Sequence, residues 1–83
     1  MTDADIEEQI FALLAMRQPG ATLCPSEVAR ALVREEGAWR ERMPQVRQVA
    51  QTLAQQHRLR VTRGGMPVDA TAPGGPIRLG LVP

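Results

Sequence analysis

The chain has 83 residues, of which 43% are apolar and 23% charged; that is enough for one domain spanning 1–83 and too little to enclose a deep catalytic cleft, so an enzyme is not expected. A lone cysteine excludes an internal disulfide, no apolar run approaches the roughly 20 residues that cross a bilayer, and no secretory pattern opens the sequence, so a cytoplasmic protein without a membrane role is expected. The net charge of +1 hides an asymmetry: residues 1–41 carry eight acids and four arginines, residues 42–83 one acid and six arginines, a distribution that suits an anionic partner or a merely dipolar surface.

Ile6, Ile10, Leu13 and Leu14 are spaced as one apolar helical stripe, which predicts a first helix. Asp3 or Asp5 can cap its start, Arg17 suits its C-terminal end, and Pro19-Gly20 stops it. Ala21-Thr22-Leu23 is long enough only to add a few hydrogen bonds at the edge of a sheet formed elsewhere. Cys24-Pro25-Ser26-Glu27 then opens a second helix: Pro25 fits the first turn, and Glu27 stands where a capping carboxylate belongs. Val28, Ala31 and Leu32 give this helix a core side, Arg30 and Arg34 face outward, and Gly37 closes it.

Pro44 opens the third helix, about 44–57, whose Val46, Val49, Ala50 and Leu53 follow the i, i+3, i+4, i+7 rule. At 100° per residue, Gln48, Gln51 and Gln55 lie opposite that stripe, and His57 falls on its core side. Beyond His57 the period becomes alternating. Leu59 and Val61 share one face of a strand, Gly64-Gly65 opens a loop rich in proline and glycine, and Ile77, Leu79 and Leu81 mark a second strand.

The resulting order is helix, short strand, helix, helix, strand, strand: mainly α with a small β-hairpin, an α+β class arranged as a winged helix-turn-helix. Packing the hairpin's apolar face on the first helix gives both a common core. The competing arrangement is an α+β domain whose hairpin covers another face of the bundle.

Ile10 to Leu14, Cys24 to Arg30, Trp39-Arg40, Met43 to Arg47, Gly65 to Asp69 and Gly75 to Leu79 together resemble a family of short bacterial proteins, the domain-of-unknown-function family numbered 3253. The resemblance covers nearly the whole chain and implies a winged-helix-like fold. It implies no reaction and no ligand.

The functional expectation rests on the third helix as a recognition helix. Gln45, Gln48, Gln51 and Arg47 are residue types that read adenine and guanine edges in a major groove. Arg40, Arg42, Arg58, Arg60 and Arg63 flank it as phosphate contacts, with Arg78 nearby. Against this, the wing tip from Gly64 to Pro76 has no base and carries Asp69, with which Arg78 is expected to pair. Duplex DNA is therefore one expected partner, and a protein partner bound through the same scaffold is the alternative. Without a further helix for dimerisation, a monomer or weak dimer is expected.

Other chemistry finds no footing. Cys24 reads as a small buried residue at a helix start rather than a redox sensor, since no second thiol resolves it. His57 has no metal-spaced partner, Ser26 is the only serine, and neither glycine pair opens a helix as a phosphate loop does. No cofactor is expected. Trp39 and Phe11 read as packing residues.

Overall fold

The computed structural model describes residues 1–83. Helix α1 spans Asp3–Ala15 and begins one residue earlier than an aspartate cap would place it. Thr2 is the cap: its hydroxyl accepts from the Asp5 N–H at 3.2 Å, and the Asp5 carboxylate accepts from the Thr2 N–H at 2.9 Å. This reciprocal pair satisfies two otherwise orphaned donors and holds the Asp5 carboxyl below its usual pKa. Strand β1, Thr22–Leu23, leads into α2, Pro25–Leu32, whose Cys24 N–H donates to Glu27 Oε2 at 2.7 Å. The start of α2 is thus as the sequence predicts.

Its end is not. Val33 leaves the helix in an extended conformation, four residues before Gly37. Gly37, at φ +80°, instead introduces a 3₁₀ helix over Ala38–Arg42, and that turn brings Trp39 against the core. The buried side of α2 is correspondingly Val28 and Ala29, whereas Ala31 is exposed.

Helix α3, Met43–Gln55, buries Val46, Val49, Ala50 and Leu53 as predicted. It ends in a Schellman motif: Arg58 N–H reaches the Leu53 carbonyl at 2.9 Å and His57 N–H the Ala54 carbonyl at 3.0 Å. His57 occupies the left-handed position, φ 59°, that this motif normally gives to glycine. It is exposed, not on the core side, because the helical wheel no longer applies once the chain leaves the helix.

Four strands, rather than the expected three, form one antiparallel sheet in the order β1-β4-β2-β3, with β2 at Leu59–Arg63, β3 at Met66–Pro67 and β4 at Arg78–Leu81. Gly64 and Gly65, at φ +58° and +82°, do not open a long loop; they make a two-residue hairpin turn that sets Arg63 opposite Met66. Leu59 pairs with Leu81 and Val61 with Leu79, while Thr22 and Leu23 of β1 stand opposite Gly80 and Leu79. Leu59, Val61, Ile77, Leu79 and Leu23 join α1, α2 and α3 in one buried cluster of 15 residues. Leu81 remains half exposed at the end of the sheet. No helix is long and apolar enough to cross a membrane.

The segment between β3 and β4 folds back instead of projecting. Ala70 is fully buried, and its N–H donates to Gln51 Oε1 at 2.8 Å, fastening the loop to one flank of α3. From the sheet side Arg63 donates to the carbonyls of Ala72, Pro73 and Gly75 at 3.0–3.3 Å. The expected Arg78–Asp69 pair is absent. Arg78, on β4, reaches over to Thr22 of the neighbouring β1, donating to its hydroxyl at 2.9 Å and its carbonyl at 3.0 Å. Asp69 turns to its own loop, where Thr71 donates to it and keeps its carboxyl ionised below the ordinary range.

Candidate functional site

Burial of the Val46–Leu53 stripe leaves Pro44, Gln48, Thr52 and Gln55 as the open face of α3, polar and without acids. Both flanks of that face are fastened to neighbouring segments. On one, Gln45 Nε2 donates to Asp3 Oδ1 at 3.1 Å and to the Met1 carbonyl at 3.4 Å, tying α3 to the start of α1. On the other, Gln51 holds Ala70. Of the three glutamines expected to read bases, only Gln48 has a side chain without an intramolecular partner.

Beside Gln48, at the N-terminal half of α3, lies an open groove of about 530 Å³ lined by Arg40, Met43, Pro44, Arg47, Gln48 and Thr71. Arg47 is half-buried there, and its Nε is shielded from solvent without a hydrogen-bond partner. A buried donor left unmatched is unfavourable by about 1–3 kcal/mol, so this guanidinium is held in place by packing rather than by an acceptor. Asp69 lies further along, with Gln51, Ala54 and Gln55, so the flank runs from basic to acidic toward the end of α3.

The arginines sort into two groups. Arg17 bonds the Thr22 carbonyl and Glu27, whose carboxyl it and the Cys24 N–H hold below the ordinary range. Arg58 pairs with Glu7, and Arg63 and Arg78 are engaged as described. No side-chain hydrogen bond or ion pair engages Arg30, Arg34, Arg40, Arg42, Arg47 or Arg60.

The fold therefore brings together Arg40, Arg47 and Gln48 from the expected set and separates the rest. Arg42 faces a second groove, of about 880 Å³, beside Asp5, Glu8, Glu35 and Glu41. Arg58 sits beyond the far end of α3 against α1, Arg60 on the outer face of the sheet among Thr22, Thr62 and Gly80, and Arg63 within the return loop. Thr71 had no sequence signal, since its place depends on the loop folding back. The sequence marks Trp39 as a packing residue, yet the guanidinium carbons of Arg30 and Arg40 lie 4.4 and 4.6 Å from its ring centroid. The adjacent Trp39-Arg40 pair hinted at this; Arg30 did not. Cys24 is half-buried, with its sulfur 3.2 Å from the Ser26 hydroxyl. No three histidine, cysteine or carboxylate side chains converge as a metal site would require.

Comparison with curated proteins finds no match. A family model described as "Protein of unknown function (DUF3253)" matches residues 3–82.

Proposed function

The chain belongs to that family of unknown function, DUF3253, and from this premise we propose that it is a winged-helix module that binds duplex DNA, with the N-terminal half of α3 in the major groove. Gln48 faces the bases in this reading, and Arg40 and Arg47 neutralise phosphates. The observation that carries it is the groove at the start of α3, where two guanidinium groups without an acidic partner flank a polar helix face. An antiparallel sheet in the order β1-β4-β2, packed with α1, α2 and α3 in one core, supports this reading, since it leaves one face of the third helix open. Asp69 and the fastened loop argue that contact is confined to the first two turns of α3.

Two phosphate contacts give a salt dependence of about −1.8 in log K against log salt, so affinity for generic duplex falls about tenfold between 50 and 200 mM salt. Titration of labelled duplex at the two concentrations tests this, with Arg40→Glu/Arg47→Glu as the comparison. Binding that is steep in salt and abolished by the charge reversal supports DNA. No binding at the lower salt overturns it.

The return loop favours one other reading. By covering a flank of α3 it narrows the face available to a groove, and a protein partner has less need of a free helix. Saturable binding to a protein that survives Arg40→Glu/Arg47→Glu supports that alternative.

A further inference from the structure

Arg30, on α2, and Arg40, on the 3₁₀ helix, approach the same indole, and neither has a carboxylate or carbonyl partner. Two like charges brought to one ring repel each other, so the stack is not explained by mutual stabilisation. Placed over a ring, a guanidinium interacts with the π system through its charge, while N–H donors that meet no acceptor in the protein remain free to engage one. Contact with the ring also restricts the rotamers of the side chain, so less conformational freedom is lost when an anion binds.

Arg40 is shared between this stack and the groove that holds Arg47 and Gln48. Arg30, Trp39, Arg40 and Arg47 therefore form one continuous set running from α2 across the 3₁₀ helix to α3. The comparison with Arg63 is direct: its terminal nitrogens already meet three carbonyls, which leaves little for a ligand.

We infer that Trp39 is a positioning residue that holds Arg30 and Arg40 as a paired clamp for the phosphodiester backbone of duplex DNA, extending the contact made by Arg47. This rests on the DNA reading above and adds Arg30 to it as a third phosphate contact. Several N–H donors on each guanidinium suit the tetrahedral, multiply accepting phosphate, and Arg40 and Arg47 line the start of α3, the end this reading places in the major groove.

The test is duplex binding by the full chain at several salt concentrations, with folding of each variant checked by thermal unfolding. Three contacts raise the slope to about −2.7, or about a 40-fold loss between 50 and 200 mM salt. Arg30→Ala is expected to flatten the slope by about 0.9. Arg34→Ala is the control: it also lacks a partner but faces the acidic groove beside α1, and the slope is expected to hold. Trp39→Leu keeps both charges and is expected to weaken binding about fivefold with the slope retained, whereas Trp39→Phe, which restores a ring, returns affinity to within about twofold.

Binding that depends on Arg47 but is unmoved by Arg30→Ala overturns the clamp and leaves the DNA reading standing. Equal effects of Arg30→Ala and Arg34→Ala overturn it as well, since they indicate long-range charge alone. Equal affinity for polyglutamate and for duplex assigns the stack to carboxylates and overturns the phosphate assignment. Wild-type chain that binds no duplex at low salt overturns the clamp and the DNA reading together.

Discussion

The corner formed by α2, the 3₁₀ helix and α3 and the sheet with its return loop use the same residue in opposite ways. On the sheet side Arg63 and Arg78 are hydrogen-bonded to backbone, stitching loop to strand and strand to strand. At the helical corner Arg30, Arg40 and Arg47 touch an indole or line a groove and bond nothing. A guanidinium between carbonyls contributes to stability; one held over a ring contributes little and remains available. The difference teaches that the positive charge of residues 42–83 is not one patch, since part of it is internal scaffolding.

The largest effect that tests this contrast is Arg63→Ala. Losing a charged donor set on three carbonyls is expected to destabilise the fold by about 2 kcal/mol, read as a lower urea midpoint, with hydrogen exchange rising across residues 68–77. Arg40→Ala and Arg42→Ala are expected to stay within about 0.5 kcal/mol of wild type. Equal losses at both places would break the division.

Smaller is the contribution of Glu27, which accepts from the Cys24 N–H and pairs with Arg17. Its carboxyl pKa is lowered in the fold, so its stabilisation is complete above the unfolded value and is lost as pH falls through the folded one. Acidification below the ordinary glutamate range is therefore expected to erode stability in wild type and less so in Glu27→Gln. The loss at neutral pH is about 1 kcal/mol, as for a helix cap. Urea titrations at neutral and acidic pH check both statements.

The smallest effect is a gain. His57 holds a left-handed backbone that favours glycine, so His57→Gly is expected to stabilise by about 0.5 kcal/mol, seen as a raised Tm. Because the side chain is exposed and the site lies at the far end of α3, duplex binding should be unchanged.

Much of this is legible in the sequence. Val46, Val49, Ala50 and Leu53 declare their helix because a buried stripe must repeat every three or four residues. Cys24-Pro25 with Glu27 declares a helix start because orphan N–H groups need an acceptor at that spacing. The candidate site was legible only as a region. Arg40, Arg47 and Gln48 were named, but so were Gln45, Gln51, Arg58 and Arg63, whose partners lie elsewhere in the chain: Asp3 and Met1 are 42 and 44 residues from Gln45, and Glu7, on the first helix, pairs with Arg58.

The amino-acid sequence by itself determined the three helices, the strands at Leu59 and Leu79 and the imbalance of charge, because each follows from local periodicity, capping and composition. Tertiary structure alone decided which arginines are free. Whether a guanidinium meets a carbonyl, an indole or solvent depends on how β1 docks on β4 and on the 68–77 segment folding onto α3, and those pairings join residues between which no local rule acts.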